Sequence, residues 1–442
     1  MLLSMLVLSL LFRFKAEDTA ASASVGTEQA WAAAMSGVEE ALRVAGAVTP
    51  GSTEWQDNPG AFRDRFVCDD GVDRWFFTVF SPADGDALSE FRPGLTDEAA
   101  KVNINFALLN NIEKLPRFTP ALAAALRDFV DEDDTPRSEG AEQDYYSSLP
   151  RPYAIRNGPL VSLDELLLVR GFTPALLNGA ANAARATGTN DEVAAASDPR
   201  PDRGLRQYLT VASYDLNNDN DGVPRTNLND PTAPLPHIAL PAALTNFLSV
   251  AQANQIPLNT AADLLEATIT VKDEKGAEVQ VSSGIGKAEL GTVLDLFTTT
   301  AAARLEGYIN VNTASMAVLA TVPGIDEPLA ETIVSTRRSI SPERRTTIAW
   351  LFQEGVVDAE KFKTLAQYLT ARSFQYRFQV VGYGLPSGRY RVLDVGIDVA
   401  NGARRVTYLR DITRLGLPFP LGGDENTSNA NTTPQRKESS GG

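Results

Sequence analysis

The sequence has few of the residues that build metal-dependent or covalent active sites. Among 442 residues there is one cysteine, Cys68, and one histidine, His237. A single cysteine cannot form an intramolecular disulfide, and zinc sites or histidine-based triads need partners that this inventory lacks. Neither a glycine-rich phosphate loop nor a nucleophile elbow occurs. We therefore predict that the chain is not an enzyme, and that His237, set between prolines, is a loop or core residue.

The chain also has fewer positively charged residues than negatively charged ones. The chain has 40 Lys and Arg residues against 56 Asp and Glu residues, a formal net charge of −16. A field of this sign repels a polyanion at long range, so we do not expect nucleic acid as a partner. A chain of this length is expected to hold two or three domains, each able to bury a core.

The N-terminus lacks the positively charged start of a secretory signal. It opens with an apolar run of twelve, MLLSMLVLSLLF, whereas a membrane-spanning helix needs about twenty. No proline occurs before Pro50, and Trp31, Met35, Val38 and Leu42 form one helical stripe. We predict one long helix over 1–47 and expect further apolar residues upstream of Met1. The residues predicted to contact membrane or neighbouring helices are Leu2, Leu3, Leu6, Val7, Leu8 and Leu10.

Strand patterns occur near both ends of the remaining chain. Trp75–Phe80 is a compact strand candidate, and residues 374–380 alternate apolar with polar. Segments 390–399 and 405–411 follow, joined by Asn401-Gly402, a strong hairpin turn. These patterns predict an α+β protein: a small antiparallel sheet from 48–100 and 371–420, with a large α-helical domain, 101–370, inserted. Residues 421–442 have no apolar anchor and are expected to be a disordered tail.

Residues 307–338 within the insertion predict a helix-hairpin-helix (SAM-like) element. An Asn-x-Asn-Thr sequence precedes an apolar helix, the turn Pro323-Gly324-Ile325 ends that helix, and a second apolar helix follows. The same Asn-x-Asn pattern occurs at 103–105 and 227–229, and is expected to lead the chain from a strand residue into a helix.

Such hairpins are best known for gripping nucleic-acid backbones, and the charges here point the other way. Asp326 and Glu327 stand where a phosphate would bind, and Asp326 replaces the second glycine of the DNA-binding form. Arg337 and Arg338 keep nucleic-acid binding open locally. Structural packing is the preferred interpretation.

Two acidic segments are candidate calcium sites, because hard cations collect carboxylate oxygens. The first is a cluster in 128–144, and its predicted ligands are Asp131, Asp133, Asp134, Glu139, Glu142 and Asp144. An exposed, solvated acidic loop is the alternative. The second is Asp215–Gly222. Within it Asn217, Asp219, Asp221 and Gly222 fit the first half of an EF-hand-like loop that starts at Asn217, but the twelfth position of that loop is Leu228 rather than Glu. We interpret the second segment as an Asx-rich turn.

Four segments of the chain follow one another in a characteristic order: TDEAAKVNIN at 96–105, DFVDEDDTPRSEGAEQDYY at 128–146, RPYAIRNGPLVSLDELLLVRGFT at 151–173 and YINVNTASMAVLATVPGI at 308–325. Together with the apolar N-terminal helix and the short sheet, these segments resemble the K-type minor pseudopilins of the type II (general) secretion pathway. The likeness extends from the start to about residue 175 and from about 305 to 413, and residues 176–305 contribute little. The expected processing site before the apolar helix does not occur, and the disulfide of some relatives cannot form with Cys68 alone.

The resemblance implies a pilin-like protein with an N-terminal helix in the inner membrane and a periplasmic domain. It further implies a place at the pseudopilus tip with other minor pseudopilins, a role in assembly initiation and protein export, and calcium near the helical domain. The competing hypothesis is a membrane-tethered helix-hairpin-helix protein of the DNA-uptake type. A third is a calcium-binding structural domain of an envelope assembly without a pilin role.

Overall fold

The structure, a computed structural model, describes residues 2–83, 91–106, 109–179, 202–234, 236, 238–272, 276–417 and 419–421. The predictions for His237 and, beyond residue 421, for the tail lie outside the described residues. A long N-terminal helix and an antiparallel sheet with further helices confirm the predicted α+β class.

In the described ranges the α-helices are α1 (Leu2–Ala47), α2 (Pro59–Phe62), α3 (Leu109–Ile112), α4 (Pro120–Val130), α5 (Gln143–Ser147), α6 (Pro174–Asn178), α7 (Ala242–Ala253), α8 (Leu290–Leu296), α9 (Met316–Leu319), α10 (Glu327–Arg337), α11 (Trp350–Gln353) and α12 (Ala359–Leu365). The strands are β1 (Arg65–Asp69), β2 (Arg74–Pro82), β3 (Phe91–Arg92), β4 (Thr96–Asp97), β5 (Val102–Asn103), β6 (Leu209–Thr210), β7 (Tyr214–Leu216), β8 (Thr226–Asn227), β9 (Thr268–Lys272), β10 (Glu278–Ser282), β11 (Phe297–Thr298), β12 (Arg304–Glu306), β13 (Ile309–Asn310), β14 (Leu369–Thr370), β15 (Gln375–Leu385), β16 (Tyr390–Asp398) and β17 (Arg405–Asp411).

The C-terminal half of α1 packs against one face of the main sheet. The predicted stripe is confirmed: Val38 and Leu42 are buried in a cluster with sheet residues, and Trp31 and Met35 pack against it. Gly382 in β15 allows the close approach, because a Cβ there would lie 2.2 Å from the carbonyl oxygen of Ala30. The sheet therefore depends on α1 for the cover of this face.

The main sheet has the strand order β1-β2-β15-β16-β17, with β3 paired to β2 and β4 paired to β15. All of these pairs are antiparallel. The predicted strands at 75–80, 374–380, 390–399 and 405–411 are all present. Their ends lie within two residues of the predicted ends, except that β15 continues to Leu385. Asn401 and Gly402 both have positive φ, as a tight hairpin turn requires. The exact domain boundaries stay a prediction.

The inserted region contains short strands as well as helices. It contains three parallel strand pairs, β5–β6, β8–β11 and β13–β14. Each of these strands is only two residues long, too short for hydrophobic alternation to reveal it in the sequence. Short strand pairs therefore accompany the helices of the inserted region, and the sequence did not predict these strands.

The Asn-x-Asn pattern marks the end of the first strand in every one of these pairs. The side-chain oxygens of Asn103, Asn227 and Asn310 accept hydrogen bonds from the backbone N–H two residues later, at 3.2, 3.0 and 2.9 Å. This Asx turn satisfies an N–H that leaves the ladder. The pattern thus directs the chain out of a strand.

The second strand of each pair ends in an equivalent way. Thr210, Thr298 and Thr370 close β6, β11 and β14, and each hydroxyl accepts from the N–H two residues later. The insertion therefore repeats one unit three times, over 102–212, 226–300 and 309–372. Unequal lengths between the two strands hide the repeat in the sequence.

A buried carboxylate joins the insertion to the sheet. Asp97 in β4 is 2% exposed, and its Oδ2 accepts from Asn310 Nδ2 (2.9 Å), Thr313 Oγ1 (2.6 Å) and Ser373 Oγ (2.6 Å). Its Oδ1 accepts from the N–H of Ala99 at 2.8 Å. Burial raises the pKa of Asp97 to about 6, although these donors oppose the shift.

The raised pKa predicts a pH dependence of stability. Because the folded-state pKa of about 6 exceeds the ordinary value of 3.8, the stabilising contribution of the protonated carboxyl is complete below 3.8 and is lost as pH rises through about 6. The free energy of unfolding of the wild type, minus that of Asp97→Asn, should fall by roughly 2 kcal/mol from pH 4 to pH 7. Urea titrations of both proteins across this range measure the difference, and a difference independent of pH contradicts the account.

Candidate metal centre and hairpin turns

Three carboxylates converge in the loop that follows α4. Asp131, Asp133 and Glu142 each place one oxygen within 4.8 Å of the others. Asp131 directly follows the helix, and Glu142 directly precedes α5. The loop therefore brings together residues that are eleven positions apart or fewer.

Glu142 has the most demanding environment of the three. It is 4% exposed, and neither of its carboxylate oxygens has a hydrogen-bond partner among the described residues. The Oδ1 atom of Asp131 is buried and unpartnered in the same sense. Burial, and then the charges of Asp128 and Asp131, raise the pKa of Glu142 to about 7. Buried carboxylates without partners are costly, and a bound cation would supply the missing partner.

The donor set fits calcium, which prefers carboxylate oxygens in a flexible loop. Three of the six predicted ligands take part in the cluster. Asp134 and Asp144 are exposed outside it, and Glu139, with a left-handed backbone (φ 66°), lines a neighbouring cleft with Arg117 and Arg170. Calcium binding stays a prediction, and Asp131, Asp133 and Glu142 are its best-placed ligands.

The second acidic segment forms a turn. The Oδ1 atom of Asp219 accepts from the N–H groups of Asp221 (3.0 Å) and Val223 (2.8 Å). Asp215 pairs with the Arg372 guanidinium (2.7 Å) and accepts from the hydroxyl of Thr370 (2.7 Å). These bonds match an Asx-rich turn, which is the interpretation preferred from the sequence.

The predicted hairpin has the expected order of elements, with a first helix of one turn. The helix α9 is four residues long, Gly324 has a φ of 89°, and Ile325 is 2% exposed. Pro323 precedes this turn. Asp326 caps α10, because its Oδ1 accepts from the N–H of Leu329 at 3.0 Å. The assignment of this element as a helix-hairpin-helix motif stays a prediction.

Two features of this hairpin tie up the groups that a phosphate would need. The carboxylate of Asp326 occupies the first turn of α10, where free N–H groups attract anions. The Arg337 guanidinium donates to the carbonyls of Val311 (3.0 Å) and Ala314 (2.7 Å). These contacts favour packing over phosphate binding.

A second hairpin, which sequence reasoning missed, lies at 109–130. The helix α3 is also four residues long, and Arg117 has a φ of 66° at the position equivalent to Gly324. Phe118 is buried like Ile325, and Thr119 caps α4 by accepting from the N–H of Leu122 at 3.3 Å. The similarity of LPRFTP to VPGIDEP was the available signal.

The tip of α1 is exposed and apolar. Leu6, Val7, Leu8 and Leu10 are 65, 54, 57 and 51% exposed. Leu2 and Leu3 also lie in α1, and their side chains are outside the described part. Among the described helices, none has an apolar stretch long enough to span a bilayer.

Comparison with known proteins identifies the region that contains the acidic loop. Residues 86–183 match the family model described as type II secretion system (T2SS), protein K. Residues 86–183 are thus similar to the first domain of the protein K family. The resemblance found in the sequence is thereby confirmed for this domain.

Relatives extend the protein K match. The type II secretion system protein K of Klebsiella pneumoniae is 32% identical over 132 residues, 29% of this chain and 40% of that protein. The protein K of Pectobacterium carotovorum subsp. carotovorum is 38% identical over 65 residues, 15% of this chain and 20% of that protein. The matches therefore span less than half the length of either relative.

A solved structure of the GspK-GspI-GspJ complex from the type 2 secretion system of enterotoxigenic Escherichia coli is also similar. The TM-score is 0.40 at 13% identity, over 90% of this chain and 99% of that chain. The acidic cluster and the hairpin at 109–130 both lie within residues 86–183, the range that matches the protein K model.

Calcium should stabilise the protein through Glu142. A ligand at one hundred times its Kd adds about 2.7 kcal/mol to the free energy of unfolding, so calcium should raise the Tm. Glu142→Gln should abolish the rise, and Glu132→Gln, at an exposed neighbour, should retain it. Thermal unfolding in calcium or in a chelator provides the measurement. An equal Tm for the wild type in both conditions contradicts the assignment.

Proposed function

We propose that the chain is a minor pseudopilin that stands at the tip of the type II secretion pseudopilus. There it supports the initiation of assembly, and through it protein export. The match of residues 86–183 to the protein K family is the observation that carries this proposal. The protein acts by assembly rather than as an enzyme.

The geometry of α1 supports a pilin-like role. The helix has 46 residues, a length of about 70 Å, and only its second half packs on the sheet. The first half exposes apolar side chains such as Leu6 and Phe12, 65% and 67% exposed. Lipid in the inner membrane, and neighbouring pilin helices after extraction, would both cover these side chains. Extraction is offset by helix packing in the filament.

The insertion supports a position at the tip. Residues 101–370 add a bulky second body to the small sheet, fixed to it at Asp97. A body of this size obstructs the stacking of another subunit above it. The protein would therefore complete a pseudopilus end together with other minor pseudopilins, with its folded part in the periplasm and calcium in the acidic loop.

The DNA-uptake alternative requires the hairpin at 307–338 to bind duplex DNA. A mobility shift with duplex DNA at low salt would favour it if binding were strong, sensitive to salt and abolished in a variant with Arg337→Gln and Arg338→Gln. The internal contacts of Asp326 and Arg337 favour the pseudopilin proposal.

Leu8→Asp should remove the protein from the membrane fraction and abolish secretion. A charged residue within a membrane helix costs about 2.5–3.5 kcal/mol, enough to lower partitioning about a hundredfold. The control is Ser24→Asp, on an exposed part of the same helix beyond the apolar run. Both variants are expressed in a strain that lacks the native gene, and membrane association and secreted protein are measured. Normal secretion by Leu8→Asp would count against the proposal.

A further inference from the structure

We propose that Asp128 and Arg137 form a positioning pair that holds the acidic loop in its calcium-binding conformation. The inference rests on the proposed calcium binding by Asp131, Asp133 and Glu142 and assigns the residues that prepare that site. Neither Asp128 nor Arg137 is proposed to touch the ion.

Asp128 fastens the far side of the loop to α4. Its side chain is fully buried in the last turn of the helix. Its Oδ1 accepts from Arg137 Nη1 at 2.7 Å, and its Oδ2 accepts from the backbone N–H of Arg137 at 3.1 Å. One carboxylate thus fixes both the side chain and the backbone of a residue nine positions later.

Arg137 in turn orients a ligand. Its Nη1 also donates to Asp131 Oδ2 at 2.5 Å. The other oxygen of Asp131, Oδ1, is buried and has no partner among the described residues. Arg137 therefore occupies one oxygen of Asp131 and leaves the second available to a cation. Groups of this kind, bound to the ligands rather than to the metal, tune affinity by 10- to 100-fold.

Gly140 lets the acidic loop pass close to Asp128. Its N–H donates to the carbonyl of Arg137 at 2.9 Å. A Cβ at this position would lie 1.9 Å from Asp128 Oδ2, so only glycine lets the chain pass this close to the buried carboxylate. Glu142 follows two residues later. The pair with Asp128 thereby sets the place where Glu142 enters the cluster.

Electrostatic repulsion alone predicts that Arg137 weakens calcium binding, whereas a positioning role predicts that it strengthens calcium binding. A guanidinium close to the site repels a divalent cation, so its removal would tighten binding if it acted only as a competing charge. If it acts as a positioning group, its removal weakens binding because Asp131 and Glu142 are no longer held together. The sign of the change in calcium Kd separates the two roles.

The decisive variant removes both members of the pair. D128N/R137Q leaves the net charge of the protein unchanged and does not leave the buried Asp128 carboxylate without its Arg137 partner, which protects folding. We expect its calcium Kd, measured by isothermal titration calorimetry on the full chain, to be at least tenfold higher than that of the wild type. R137Q alone should weaken binding at least as much. Arg151→Gln, an exposed arginine of the same domain, should leave the Kd unchanged.

The possible results distinguish failure of the positioning pair from failure of the calcium site itself. A Kd for D128N/R137Q within twofold of the wild type, or tighter binding by R137Q, overturns the positioning pair. If the wild type still binds calcium and E142Q does not, the calcium site itself stands in that case. A wild type that binds no calcium overturns both the site and the pair. Far-ultraviolet circular dichroism of each variant establishes that the comparison is made between folded proteins.

Discussion

The buried carboxylate of Asp97 is the constraint on which the arrangement of the two bodies depends. An ionised carboxylate at 2% exposure is tolerated only if donors surround it, and here four donors come from residues 99, 310, 313 and 373. Three of them belong to the third repeat unit or to the segment that returns from it to the sheet. A shift of the insertion relative to β4 would break several of these bonds at once. The insertion is therefore fixed to the sheet by polar contacts at its own chain ends.

Inside the insertion, too, polar side chains satisfy groups that would otherwise lack hydrogen-bond partners. Two-residue strands give little hydrogen bonding, so their ends must be satisfied by side chains. Asparagine does this at the end of the first strand in each pair, and threonine at the end of the second. The second asparagine then bridges to a distant loop: Asn105 exchanges two bonds with Leu160, and Asn229 does so with Leu258. Residues 226–300 follow this pattern although they contributed little to the family resemblance.

What the sequence could predict follows from the length of each pattern. The stripe on α1 and the alternation at 374–380 extend over several periods, so burial dictates one structure. Two-residue strands and four-residue helices contain less than one readable period. The left-handed backbone of Arg117 was hidden because glycine is the expected residue there. For the acidic loop, composition indicated a candidate cation site, but the convergence of Asp131, Asp133 and Glu142 accompanies contacts of Asp128 and Gly140 across the loop. Sequence spacing alone therefore could not separate Glu142 from Asp144.

The two hairpins show how one backbone arrangement carries different chemistry in its loops. Arg117 and Gly324 share a left-handed turn, and Thr119 and Asp326 cap equivalent helices. After the hairpin at 109–130 the chain enters an acidic loop, in which both carboxylate oxygens of Glu142 lack a hydrogen-bond partner among the described residues. At the end of the other hairpin Arg337, the last residue of α10, bonds inward. The loop that follows contains Arg338, Arg344 and Arg345, and Arg344 pairs with Glu354. The two hairpins thus share a turn and a helix cap, and they differ in the charge of the loop that follows the second helix.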